Sequence, residues 1–153
     1  MKTHAMTMPV LEVMTRAPIT VTPQATVGDL VALFDRHDFN AFPVVDRKGA
    51  LCGIVTKLDA LRLLRPDRDV RIPGSGTLSS ARVADIMRPG VLSVEPEDPV
   101  AVAADLMVET RLRSLPVVRS RAGQRELVGI VSQGDLLRGL RFELVEAREG
   151  GKR

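Results

Sequence analysis

The chain has 153 residues, 44% hydrophobic and 27% charged, a composition typical of a globular protein with one domain or two small ones. It has four Phe, no Trp and no Tyr, so the core must be aliphatic, and nucleic-acid binding on stacked aromatic side chains is disfavoured. The formal net charge of +3 suits an anionic ligand, but the arginines are scattered rather than arranged in the one-sign stripe typical of a nucleic-acid surface.

Two stretches of the chain carry the same sequence pattern. Residues 13–45 match residues 86–118 at an offset of 73 (87 − 14), with a Pro-Val-Val triplet in each copy. After a turn that is three residues longer in the second copy, residues 53–62 match residues 129–138 at an offset of 76 (129 − 53). Because an internal duplication can define a fold, we interpret the chain as two copies of one unit.

Each copy begins with an extended segment, at 19–21 or 92–94, and continues with a helix. Thr26 with Asp29 predicts a capping pair for the first helix, and Asp98 is the predicted cap of the second. In the first helix, the apolar residues have the i, i+3, i+4, i+7 spacing of one helix face: Val27, Leu30, Val31 and Phe34.

A hairpin and a further helix complete each copy. The final helices are predicted to start after Thr56 and after Ser132. The predicted strands are, in chain order, 42–45, 51–55, 115–118 and 127–131. The turns between them are predicted at 46–49 and at 119–126, around Gly123.

The unit is therefore β-α-β-β-α, and the predicted fold class is α/β (α+β). About 55 residues bury too little surface to be stable alone, so we expect the two units to pack through their sheets with pseudo-two-fold symmetry. Such packing would leave two related clefts, a usual place for small ligands. The predicted boundaries are an N-terminal arm over 1–9, a first domain over 10–64, a linker over 65–82, a second domain over 83–145 and a flexible tail over 146–153.

The end of each hairpin carries the most informative motif. Thr56 is followed by Asp59, and Ser132 by Asp135, which is the spacing of a helix capping box. Capping alone would account for these residues. The same geometry also suits a phosphate at the helix N-terminus and a ribose on the acid. Three apolar residues could form a slot for a flat base or could equally belong to the core: Ile19, Val21 and Phe42.

The doubled pattern resembles a tandem pair of CBS domains, named after cystathionine β-synthase and also called a Bateman module. The resemblance covers about residues 10–64 and 83–140. It depends on the openings Val13-Met14-Thr15 and Ile86-Met87-Arg88, on the strands 42–45 and 115–118, and on the two Gly-h-h-[Thr/Ser]-x-x-Asp endings, where h is apolar.

The resemblance implies a regulatory module that binds an adenosine-containing ligand such as AMP, ADP or ATP, with S-adenosylmethionine or NAD(H) as alternatives. It implies that Asp59 and Asp135 hold ribose while Thr56 and Ser132 help to hold phosphate. The segments before the core strands would line the base pockets. The other implied ligand-binding residues are Ile19, Thr20, Asn40, Phe42, Pro43, Lys57, Leu92, Ser93, Arg113, Leu115 and Pro116.

The two copies differ at residues that matter for binding. Arg113 suits a phosphate, although it could equally be an ordinary surface arginine, and the first copy has Asn40 in its place. Gly134 replaces Leu58 at the start of the last helix, which allows closer backbone approach there. We therefore expect a weaker phosphate grip at the first site unless Lys57 or an arginine from the other half compensates. Unequal affinity at the two sites is the expected result, and occupancy of a single site is one form that it can take.

Other function classes receive less support. No catalytic residue, metal site or required cofactor is predicted, since the chain has one Cys and two His and no nucleophile with an adjacent base. No apolar stretch approaches the length of a membrane span, and a cytoplasmic location is expected. We expect the chain to form a homodimer and to act on a separate enzyme or transporter. The alternative is that it is a piece of a longer chain. The alternatives left open are a structural or interaction module without a nucleotide, and a nucleic-acid binder.

Overall fold

The computed structural model describes residues 7–65 and 81–151. Most of the predicted linker and the start of the predicted N-terminal arm thus lie outside the described residues. The helices are α1 (Val27–Arg36), α2 (Lys57–Leu61), α3 (Val83–Ile86), α4 (Val100–Thr110) and α5 (Gln133–Gly150). The strands are β1 (Thr15–Arg16), β2 (Ala41–Val45), β3 (Leu51–Thr56), β4 (Ser114–Arg121) and β5 (Gln124–Ser132).

The described chain forms two compact units that cut across the sequence repeats. The first unit holds 19–65, 81–91 and 123–127. The second unit holds 7–18, 92–122 and 128–151. The segment that opens each repeat is therefore part of the unit that contains the body of the other repeat. The predicted mixed α/β class is confirmed, with one two-stranded and one three-stranded sheet.

The first unit is built around the predicted first helix and hairpin. Helix α1 starts as predicted, because the Asp29 N–H donates to Thr26 Oγ over 3.0 Å and the Thr26 N–H donates to Asp29 Oδ2 over 3.2 Å. Its apolar face packs onto the antiparallel β2–β3 pair. The core of this unit is mostly aliphatic: Val21, Val27, Leu30, Phe42, Val44, Val55, Leu63, Ala81, Val83 and Ile86.

The predicted extended segments contribute less than full strands. Val21 forms one parallel bridge with Val44, and Val94 forms the equivalent bridge with Val117. Each is held by a backbone N–H that donates to the proline of the neighbouring strand, over 3.1 Å to the Pro43 carbonyl in the first unit. These segments thus extend each sheet at a single point.

The second unit has a three-stranded sheet in the order β1-β5-β4. The predicted long turn at 119–126 is wrong, since both strands continue to a tight turn at Ala122 and Gly123. Ala122 has a φ of +50° and Gly123 a φ of +75°. Two successive positive φ values are typical of a type I′ turn, whose twist matches that of the flanking strands, so the extra residues lengthen the strands instead of the loop.

Two further details depart from the sequence predictions. Asp98 does not cap α4: its side chain accepts from the Glu95 N–H over 2.8 Å, and α4 begins one residue later, after Pro99. Helix α5 runs to Gly150 and so includes five residues of the segment predicted as a flexible tail.

The opening segments explain why the hairpin motifs contain glycine. In the second unit, Thr15 pairs with Ile130, and a Cβ on Gly129 would lie 2.7 Å from Met14 Sδ and 2.8 Å from the Thr15 carbonyl oxygen. In the first unit, Arg88 bridges Ile54, and a Cβ on Gly53 would lie 2.9 Å from Met87 Sδ. Only glycine leaves room for the opening segment, so each unit needs it at this point.

Candidate functional site

The binding residues predicted in the first repeat all lie in the first unit, and those predicted in the second repeat all lie in the second unit. We call the capping motif of Thr56 and Asp59, in the first unit, the first site. The motif of Ser132 and Asp135, in the second unit, is the second site. Both acids are buried although they are charged: Asp59 exposes 1% of its surface and Asp135 exposes 4%. A buried carboxylate must be compensated by hydrogen bonds or opposite charge, so the partners of each acid decide what else it can bind.

The Asp59 carboxylate is surrounded by donors from its own unit. Oδ2 accepts from the Thr56 N–H and from the Thr56 hydroxyl, each over 2.9 Å. Oδ1 accepts from Arg62 Nη1 over 3.2 Å and from Arg88 Nε over 3.1 Å. Its side chain is fully buried, whereas both arginines are about half exposed. The first site is thus a compact ion cluster with two donors on each carboxylate oxygen.

The Asp135 carboxylate has fewer partners. Oδ2 accepts from the Ser132 N–H over 2.8 Å, and Oδ1 pairs with Arg138 Nη2. The side chain of Arg138 is 69% exposed. The Ser132 hydroxyl accepts from the Asp135 N–H over 3.2 Å, which completes the capping box at the start of α5. Within the described residues, each oxygen of Asp135 therefore has one donor where each oxygen of Asp59 has two.

The three arginines that contact the acids, Arg62, Arg88 and Arg138, were not singled out as site residues from the sequence. Arg62 and Arg138 are equivalent under the offset of 76, so both acids have an arginine one helical turn later. Arg88 belongs to the opening of the second repeat, and its equivalent under the offset of 73 is Thr15. The signal was present in the opening motifs, but nothing local in the sequence indicates that an opening segment reaches the acid of the other repeat.

The residues before β2 and β4 lie beside the two helix starts. The Lys57 N–H donates to the Asn40 carbonyl over 3.1 Å, and the Gln133 N–H donates to the Arg113 carbonyl over 3.0 Å. The side chains of Asn40 and Arg113 are both exposed. Lys57 Nζ lies 5.9 Å from the centre of the Phe34 ring, a cation–π distance. An exposed arginine thus precedes the strand beside the second site, where the first site has an exposed asparagine.

The apolar residues predicted to line a base slot divide into two groups. Ile19 and Leu92 are 37% and 45% exposed, and Thr20 and Ser93 are partly exposed. Phe42 and Leu115 are core side chains, exposing 1% and 0%. The Phe42 ring packs against Phe34 at a centroid distance of 4.8 Å. Pro43 and Pro116 are also buried. Their backbone carbonyls accept from the N–H groups of Val21 and Val94 in the extended segments.

A groove in the second unit includes Asp135. Its volume is about 400 Å³, and it lies between α5 and the segment that opens the first repeat. Gly139 permits this packing, since a Cβ there would already lie 3.3 Å from Val13 Cγ1. The lining is apolar and acidic except for one arginine: Met8, Glu12, Val13, Asp135, Arg138, Gly139, Phe142, Glu143 and Glu146.

Other kinds of site find no support in residues 7–65 and 81–151. Within these ranges, no group of three or more His, Cys, Asp or Glu side chains could hold a metal ion. None of the helices in these ranges combines the length and the apolar character needed to cross a bilayer. Cys52, the single cysteine, donates to the Val44 carbonyl over 3.3 Å, and burial together with nearby Asp46 raises the pKa of its thiol.

Comparison with known proteins identifies the repeat. The model of the CBS domain matches residues 10–66 and 83–141. The CBS domain-containing protein YhcV of Bacillus subtilis is 34% identical over 128 residues, which are 83% of this chain and 81% of YhcV. The structure of CBSX2 in complex with AMP is 29% identical with a TM-score of 0.74, covering 87% of this chain and 96% of that one.

A second solved structure extends the comparison to another ligand. It is the CBS domain pair of protein MJ0100 in complex with 5′-methylthioadenosine and S-adenosyl-L-methionine. It is 25% identical to this chain with a TM-score of 0.71, and the match covers 95% of this chain and 98% of that one. The chain is therefore similar over nearly its whole length to tandem pairs that were crystallised with adenosine compounds.

Proposed function

Because the chain belongs to the CBS domain family, we propose that it is a regulatory module that binds an adenine nucleotide, such as AMP, ADP or ATP. One observation carries the proposal. The buried Asp135 has one donor on each carboxylate oxygen and lies at the start of a helix of 18 residues. A carboxylate can accept about four hydrogen bonds, so two positions are open to the two neighbouring hydroxyls of a ribose.

The surroundings of Asp135 suit the rest of a nucleotide. A phosphate is stabilised at a helix N-terminus by the backbone dipoles. Arg113 is exposed and its carbonyl accepts from the Gln133 N–H at that helix start, so its guanidinium is our candidate for a bidentate phosphate partner. The half-exposed Leu92 provides an apolar edge for a base, and Ser93 beside it is partly exposed. The related structures hold AMP in one case and 5′-methylthioadenosine with S-adenosyl-L-methionine in the other, which supports adenosine as the shared group.

A titration tests this function and its alternatives. We expect isothermal calorimetry to detect binding of AMP, ADP or ATP, and S-adenosylmethionine, 5′-methylthioadenosine and NADH serve as competing ligands. A ligand at a hundredfold excess over its Kd should stabilise the folded chain by about 2.7 kcal/mol and so raise its Tm. Guanosine monophosphate is the matched control for the base. If none of these compounds binds, the chain is a structural or interaction module without a nucleotide.

We further propose that the chain forms a homodimer through its helices. Leucines at equivalent positions are exposed in both repeats, with Leu61 at 56% and Leu137 at 64%, beside Leu58 and Leu140 at 58% and 49%. Large exposed leucines grouped on helices are typical of an association surface. We expect light scattering to give twice the mass of 16.6 kDa. The Leu61→Glu/Leu137→Glu variant should be monomeric, and a monomeric mass for the unaltered chain would contradict the proposal.

The regulated partner would be an enzyme or a transporter, and the chain itself would perform no chemistry. A nucleotide can act on such a partner only if it binds one arrangement of the module more tightly than another. Cytoplasmic location stays a prediction from the sequence, as does the low expectation of nucleic-acid binding.

A further inference from the structure

The two acids have different numbers of donors, and one residue accounts for half of the difference. Thr56 Oγ and Arg88 Nε are the donors that Asp59 has and Asp135 lacks among the described residues. The Thr56 hydroxyl can rotate to another acceptor at little cost, as a serine or threonine hydroxyl does. The Arg88 guanidinium is permanently charged and forms an ion pair with the fully buried carboxylate of Asp59.

We infer that Arg88 closes the first site to nucleotide, so that the chain binds one nucleotide, at Asp135. This inference depends on the proposed function. With four donors on its two oxygens, Asp59 has used the acceptor capacity of a carboxylate. A ribose at Asp59 would have to displace an arginine from a buried charge, whereas a ribose at Asp135 meets open positions.

Arg88 is held in place by its backbone. Its N–H donates to the Ile54 carbonyl over 2.9 Å, and its own carbonyl accepts from the Ile54 N–H over 3.1 Å. This pair of bonds fixes the start of the side chain beside β3, which ends in Thr56 and leads directly to Asp59. The guanidinium therefore reaches the carboxylate with little loss of side-chain freedom, because its origin is already fixed.

Thr15 occupies the corresponding place beside the second site. It pairs with Ile130 on β5 as Arg88 pairs with Ile54 on β3, and both follow a methionine packed over a glycine. A threonine side chain is too short to span the distance that the arginine covers. Arg62 and Arg138 cannot account for the difference, since each acid has one of them.

The equivalence of Arg88 and Thr15 under the offset of 73 allows the two residues to be exchanged. The variants are Arg88→Thr, which gives the first site the arrangement of the second, and Thr15→Arg, which does the reverse. Calorimetry with AMP should give one site per chain for the unaltered protein. We expect two sites per chain for Arg88→Thr, and at least tenfold weaker binding for Thr15→Arg.

The outcomes separate this inference from the proposed function. Two equal sites in the unaltered chain would overturn the role of Arg88 and leave nucleotide binding intact. The same conclusion would follow if the Arg88→Thr variant kept the Tm of the unaltered chain without ligand and still bound AMP at one site with unchanged affinity. Absence of AMP binding in all three proteins would instead overturn the proposed function and this inference with it. Thr15→Arg removes no buried ion pair, so it tests the inference even where Arg88→Thr lowers stability, and unchanged affinity in Thr15→Arg would count against it.

Discussion

Asp59→Ala is expected to lower the free energy of unfolding by about 3 kcal/mol, the largest effect on stability of the substitutions considered. The loss has two sources. Removing the side chain deletes a helix cap, worth about 1 kcal/mol. It also deletes hydrogen bonds to a fully buried charge, worth about 1.5–3 kcal/mol, and leaves the Thr56 N–H without its acceptor. Arg62 and Arg88 are half exposed and can turn to water, so they add little to the loss.

Asp29→Ala is the matched control for this effect. Asp29 holds the same position in the capping box at the start of α1, but its bonds to Thr26 are exposed, and no arginine among residues 7–65 and 81–151 is bonded to it. We expect a loss of about 1 kcal/mol there, as for an ordinary cap. Urea unfolding followed by far-ultraviolet circular dichroism measures both variants. Equal losses would mean that the ion cluster around Asp59 contributes no net stability.

The features that could be predicted from the sequence are local ones, formed by residues close together in the chain. The capping box of Thr26 and Asp29, the face of α1 and the β2–β3 hairpin were all confirmed, because each depends on residues no more than 15 positions apart (56 − 41 for the hairpin). The family resemblance, and the pairing of hydroxyl and acid at both helix starts, were likewise readable from the spacing. Local chemistry of this kind acts before and independently of tertiary packing.

The features that were missed depend on contacts between distant segments. Asp59 and Arg88 are 29 residues apart, and the glycine that admits Met14 is Gly129. Neither contact leaves a periodic signal, so the sequence could not assign Arg88 to the first site. The wrong turn at 119–126 has a different origin: its polar residues are typical of a loop, but Ala122 and Gly123 suffice to reverse the chain.

The burial of Phe42 and Leu115 follows from strand alternation. Successive side chains of a strand point to opposite faces, and Phe42 and Val44 of β2 both enter the core of the first unit. An apolar residue in such a register is needed for the core, whatever binds nearby. Ile19 and Leu92 lie outside the named strands, so no strand register places them in the core, and they remain exposed.

The sequence differences at Arg113 and Gly134 predict unequal ligand affinity at the two sites. The hydrogen bonds of the two acids give a second, independent reason to expect it. The sequence suggested that the second site has the stronger grip on phosphate, and the partners of the two acids add that it has the more available carboxylate. Both differences favour the same site. One repeat would then be specialised for binding, while the corresponding acid of the other repeat stabilises its own unit.

Asp135→Asn is expected to weaken AMP binding about 100-fold, the largest effect on affinity of any single substitution here. Under the proposed function, two ribose hydroxyls donate to this carboxylate, and a hydrogen bond to a charged group is worth about 1.5–3 kcal/mol. A loss of about 2.8 kcal/mol corresponds to the 100-fold change. Asparagine keeps one acceptor oxygen for the Ser132 N–H, so the cap of α5 and the fold should be retained.

A deoxy ligand separates this role from a general disturbance of the site. 2′-Deoxy-AMP should bind the unaltered chain more weakly than AMP does, because one of the two donors to Asp135 is missing. The Asp135→Asn variant should discriminate between the two ligands much less, since the charge that both hydroxyls meet is gone. Asp59→Asn is the matched variant at the first site, where Arg88 already occupies the carboxylate, and it should leave AMP affinity within about twofold. A large loss at Asp59 with little change at Asp135 would assign the nucleotide to the opposite unit.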